Sequence, residues 1–214
     1  MLDDRMNVPR SPTEVRRREA GEELYRQFAA PTPSVIEGCP CCIEKRDVDV
    51  LLSTPLRALS GQALWPYVSS VFLTAGSTHD FRYFLPRIFE IALVDPENSN
   101  DAEIVLDRLE RAAWQQWPQG ERDAITAFVD VWLDQAISED VSALIEDSFG
   151  WEAEGVLCGI ARAGLPIGPW LARLREPVAA PILADLKARY PHELSAFWDD
   201  APAGLAELSA FLAA

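Results

Sequence analysis

Two sets of residues in this 214-residue chain have the types and spacing for chemistry: a short cluster of cysteines and a long run of carboxylates. Cys39 and Cys42 stand in a C-x-x-C arrangement, the spacing that lets two thiolates reach one zinc ion, and Cys41 offers a third sulfur. With no second C-x-x-C, a fourth ligand would have to come from Cys158, His79 or His192. The same thiols fit two other readings. They can be buried and inert, or a redox pair, although thioredoxin-like chemistry sits at a helix N-terminus in a βαβ context that this sequence lacks. Cys158, among Val156, Leu157 and Ile160, reads as core.

The carboxylates are concentrated. Residues 90 to 154 hold 17 Asp and Glu against 3 Arg, a net −14 of the chain's total −15. Glu103, Asp107 and Glu110 fall at i, i+4 and i+7, and Asp123, Asp130 and Asp134 lie opposite an apolar helical stripe. Carboxylates in Glu-x-x-His motifs on facing helices build di-iron sites, but that motif is absent. Concentrated like charge opposes folding through self-repulsion, so the block reads either as a solvated face or as a surface for a basic partner. Trp114, Trp117 and Trp132 lie inside it. Trp132 belongs to the apolar stripe of its helix, whereas Trp117, beside Pro118 in a turn, is the better placed to anchor an Arg- or Lys-rich surface.

Enzyme signatures fail in turn. The chain has no G-x-S-x-G elbow, no Walker A loop and no G-x-G-x-x-G, and His192-Glu193 is not followed by the second histidine of H-E-x-x-H. Two histidines leave little conventional acid-base machinery, and a carboxylate-based enzyme acting on a small substrate is the remaining catalytic reading. The 19 basic residues are scattered, and the dominant field would repel phosphates, which excludes nucleic acid as the favoured partner.

The elements that must position these groups are helices. Ser11-Pro12-Thr13-Glu14 predicts a capped helix start, with the helix running to about residue 29, and Pro31 to Cys42 predicts a loop. Ser60 caps a helix to about Thr74, and Thr78 with Asp80 caps another, running through Leu93, that Pro86 is expected to kink. Asn100 and Glu103 predict a capping box, the period over Glu121 to Ile137 predicts the most secure helix, and Ser138 is expected to cap a separate short one. Phe149 to Ala163 predicts a further helix, and Gly164 to Pro169 separates it from three more. No segment alternates as a strand does, so the class is all-α, built of antiparallel helical hairpins as a bundle or a short irregular HEAT-like stack. The expected organisation is an N-terminal helix over 1–30, a Pro/Cys loop over 31–42 and helices over 43–214, all within one globular unit.

A hydrophobic content of 49% over this length can supply its own core. No apolar run approaches the roughly 18 residues of a membrane span. The opening MLDDRMNVPR lacks the apolar core of a signal peptide, so a cytoplasmic location with reduced cysteines is expected.

The words Cys39-Pro40-Cys41-Cys42, Leu51-Leu52, Pro55-Leu56-Arg57-Ala58-Leu59 and Phe81-Arg82-Tyr83-Phe84-Leu85-Pro86-Arg87-Ile88 occur in that order. In this the chain resembles a group of uncharacterised bacterial helical proteins, over roughly residues 39 to 94. The resemblance implies a bacterial source and no particular activity.

The function expected from these residues is non-enzymatic: binding of a basic protein partner through the acidic surface of residues 90–154, as an immunity or inhibitor protein covering a toxin's cationic site would do. Glu103, Asp107, Glu110, Trp117, Asp123, Asp130 and Asp134 are the expected contacts. A zinc-containing structural or regulatory module built on Cys39, Cys41 and Cys42 is the alternative.

Overall fold

Ten α-helices, with no strand or sheet, make up the described residues of this all-α protein in a computed structural model that describes residues 11–39, 43–146 and 148–214. They are α1 Pro12–Gln27, α2 Lys45–Ser53, α3 Gly61–Ser70, α4 Thr78–Val94, α5 Ala102–Arg111, α6 Gln119–Ile145, α7 Glu152–Arg162, α8 Gly168–Leu171, α9 Ala180–Arg189 and α10 Pro202–Ala213. None is long and apolar enough to cross a membrane.

The local signals at α1 work as expected. The Ser11 hydroxyl accepts from the Glu14 amide and the Glu14 carboxylate accepts from the Ser11 amide, so two of the helix's orphan N–H groups are satisfied, with Pro12 at the first helical position. Only Ala20 and Leu24 are buried along this polar helix, and that narrow stripe seats it on α6. The cap of α4 lies one residue earlier than expected: Ser77, not Thr78, shares the box with Asp80. Pro86 is accommodated inside α4.

Helix α3 stops at Ser70, short of Thr74, because the chain turns through Phe72 in the left-handed region (φ 64°). The turn is stabilised by the Phe72 amide donating to the Ala75 carbonyl at 3.0 Å and by the Phe72 ring packing edge-on against Phe81, 5.2 Å between centres. The loop after α1 is pinned to it: Cys39 N–H donates to the Thr74 carbonyl and Gly76 N–H to that of Glu37.

The Asn100–Glu103 capping box does not form. Asn100 donates its side-chain amide to Ser69 at 2.8 Å, and Glu103 accepts from the Ser195 hydroxyl at 3.0 Å, so tertiary partners outcompete the local cap. Nor does Ser138 start a new helix. Its carbonyl accepts the Ser142 hydroxyl at 2.9 Å within a continuous α6 of 27 residues, about 40 Å long at 1.5 Å per residue. Apolar residues of α6 serve more than one neighbour, since it lies against α1 as well as α7 and α9. Phe89 of α4 meets Phe128 and Trp132 of α6 at 5.5 and 6.0 Å between ring centres, which fixes the α4–α6 contact.

Candidate functional site

Several carboxylates of the acidic block are taken up by arginines, most of them from elsewhere in the chain. Asp130 accepts from the Trp170 indole at 2.8 Å and from Arg173 at 2.5 Å. Asp134 is gripped by Arg173 and by Arg16 of α1, each at 2.9 Å. Glu121 pairs with Arg82, and Asp107, nearly buried on α5, pairs with Arg108, Arg111 and Arg162. The row expected at i, i+4 and i+7 therefore divides: Glu103 and Asp107 are buried and bonded, and Glu110 alone reaches solvent, where it accepts from Gln115. Asp123 is exposed, touching Gln119.

Trp117 is not at the surface. It is 8% exposed, with Phe28 edge-on at 5.8 Å, Phe81 at 6.5 Å and the Arg82 guanidinium over its face at 5.3 Å. Its position next to Pro118 marks a turn, but the start of α6 folds that turn inward against the end of α1. Cys39 is half-buried, and Cys41 and Cys42 lie outside the described residues. Cys158 is enclosed in the core, where burial first, and the nearby Glu103 next, push its thiol far above the ordinary range. Among the described residues no group of three His, Cys, Asp or Glu side chains is placed to hold a metal ion.

A further group of carboxylates without an ion pair among the described residues lies at the elbow where α6 ends and α7 begins. Asp140, on the last turns of α6, is 2% exposed and accepts from the amides of Glu152 and Ala153 at 3.0 and 2.8 Å, capping α7 from a distance in sequence. Gly150 makes this possible, because a Cβ there would lie 3.0 Å from the Asp140 Cβ. Around that cap the carboxylates crowd. Burial, and then Asp140, Glu139, Glu103 and Asp101 in turn, push the Glu152 carboxyl above its ordinary range. Burial is also the main cause for Asp140 and Glu103, with Glu139 and Asp185 adding to the first and Asp101 and Glu154 to the second. Among the described residues no arginine or lysine offsets these three shifts. Glu139 and Glu146 are exposed here, and Glu152 keeps an open side while its carboxyl is half-enclosed by these neighbours.

The same elbow carries the two most exposed large apolar side chains among the described residues, and a third beside them. Phe149 is 78% and Ile145 72% exposed, and Trp151 is 52% exposed with its ring 5.7 Å from that of Phe149. Arg189 lies over Trp151 at 5.1 Å and is itself anchored by buried Glu154 and by Asp185, which holds the indole in a fixed direction. Comparison with known proteins gives no match. No family model, curated protein or solved structure is significantly similar to this chain.

The sequence alone does not separate the paired carboxylates of the block from those at the elbow. Phe149 and Trp151 were absorbed into an expected helix, whereas α7 begins only at Glu152. Gly150, between two aromatics and ahead of the acidic first turn Glu152 to Glu154, was the signal for an exposed link there.

Proposed function

We propose that this chain is a non-enzymatic binding protein whose α6–α7 elbow docks a basic protein partner. One observation carries the reading: large exposed aromatics stand beside carboxylates that have no cation of their own. An exposed Phe–Trp pair costs solubility and gives nothing to the core, while in an interface Trp is among the residues that most often dominate the binding energy. The unpaired Glu139, Glu146 and Glu152 supply the complementary field. Their mutual repulsion is relieved when Lys or Arg side chains arrive, so the charge speeds encounter while the rings set residence time. A basic toxin whose cationic site is covered in this way, with the chain acting as its immunity or inhibitor protein, is the sharper form of the proposal.

The test begins with capture of basic proteins from the source cells, followed by reconstitution with the purified partner. Association is expected to slow by at least ~10-fold between about 50 and 500 mM salt, because the Debye length falls well below the span of the acidic surface. An association rate unchanged by salt contradicts the proposal.

A further inference from the structure

At the opposite end of α6 a second site is built from different chemistry. A cavity of about 210 Å³ opens between the end of α1, the first turns of α4 and the first turn of α6. Gln27, Phe28, His79, Arg82, Tyr83 and Glu121 line it. His79 is exposed, and the Tyr83 hydroxyl is held by Thr32 at 2.9 Å. Arg82 donates to Oε1 of Glu121 and lies over the Trp117 ring, and its side chain stays 39% exposed. Glu121 is only 6% exposed, and its Oε2 is buried with no hydrogen-bond partner among the described residues.

A buried carboxylate oxygen without a donor is costly, and protein folds keep few of them. The cavity wall therefore carries one carboxylate with an oxygen lacking an N–H donor, which a small side-chain shift would open to a ligand, and beside it a guanidinium and an imidazole suited to an anion. A simple cation would meet Arg82, and a simple anion would meet Glu121. A zwitterion answers both. The volume, about seven waters' worth at ~30 Å³ each, suits a metabolite well below drug size. We propose that this cavity binds a free amino acid or a closely similar small zwitterion, with its ammonium on Glu121, its carboxylate on Arg82 and His79, and its side chain against Phe28. The site is independent of the elbow surface, from which it is separated by about 24 residues of α6, or roughly 36 Å.

The experiment is calorimetric titration of the full chain with each of the common amino acids, and with the matched amine and the matched carboxylic acid of any that bind. A small subset of amino acids is expected to saturate with a Kd below about 1 mM, and each half-molecule to bind at least ~10-fold more weakly. Glu121→Gln is expected to weaken binding by ~10-fold or more, and His79→Ala, at an exposed position that leaves the fold intact, to weaken it several-fold, while Phe149→Ser leaves it unchanged. The proposal is overturned if no amino acid saturates by about 10 mM, if an amine or acid alone binds as well as the parent, or if His79→Ala binds like the wild type.

Discussion

The flank of α6 at Asp130 and Asp134 and the elbow at its C-terminal end draw on the same acidic sequence yet differ in kind. On the flank every carboxylate of that pair has a guanidinium within 2.9 Å, supplied by Arg173 and Arg16 from outside the block. At the elbow burial first, and then Asp140 and Glu103 among its neighbours, push the Glu152 carboxyl up, while other carboxylates act on Asp140 and Glu103 in the same way. Net charge along a sequence is therefore a poor guide to charge on a surface. Arg16, Arg82, Arg162, Arg173 and Arg189 all lie outside residues 90–154 and fold back to neutralise members of it. What the arginines leave uncovered is where a partner has something to gain.

The largest effect that can break this comparison lies at Glu154, beneath the elbow. Its carboxylate is 3% exposed as a side chain and satisfies Arg189, the Ser195 amide and the Trp198 indole. Glu154→Ala takes one of two carboxylates from Arg189, which keeps Asp185, and strips the Ser195 amide and the buried Trp198 indole of their acceptor, so it is expected to destabilise the fold by about 2–4 kcal/mol in chemical denaturation. Asp140→Ala removes both amide acceptors at the start of α7, with an expected loss of about 2 kcal/mol and earlier hydrogen exchange of the Glu152 and Ala153 amides. A loss under about 0.5 kcal/mol would mean that the α7 cap is not what sets the elbow.

The smallest effect carries the most specific sign. Because the Glu152 pKa in the fold is raised above its ordinary 4.5, its favourable contribution is present below that value and is lost as pH rises through the folded value. At neutral pH the charge works against the fold. Glu152→Gln is accordingly expected to raise the melting temperature slightly near pH 7 and to have no such benefit near pH 4, while weakening partner binding. Asp130→Asn, on the flank, is expected to lower the melting temperature at pH 7, since it breaks a pair with Arg173. Opposite signs at the two positions would confirm the contrast, and equal signs would dissolve it.

The helical class and most helix starts were legible from capping residues and apolar period, because those signals act within one turn of the chain. The α1 cap at Ser11 and the packing of Ile125, Phe128 and Trp132 of α6 followed directly. Helix α2 was not anticipated, since Lys45–Ser53 is short and has only Leu51 buried. The signals that failed were those with long-range competitors. Asn100 found Ser69, Glu103 found Ser195, and Trp117 found Phe28 and Phe81, none of which lies nearby in sequence. The elbow escaped for a related reason: it is defined by the absence of arginines, and which carboxylates an arginine reaches is decided only in three dimensions.

The central claim is that Phe149 and Trp151, set among unpaired carboxylates, form the working surface. The direct measurement is the affinity of the purified basic partner for the wild type and for the Phe149→Ala, Trp151→Ala double variant, with the melting temperature of each recorded alongside. The account predicts a loss of about 2–4 kcal/mol in binding with stability changed by less than about 0.5 kcal/mol, since both rings are largely exposed. Binding equal to the wild type, with the Asp123→Lys, Asp130→Lys, Asp134→Lys variant instead losing it, would contradict the account and return the function to the flank of α6.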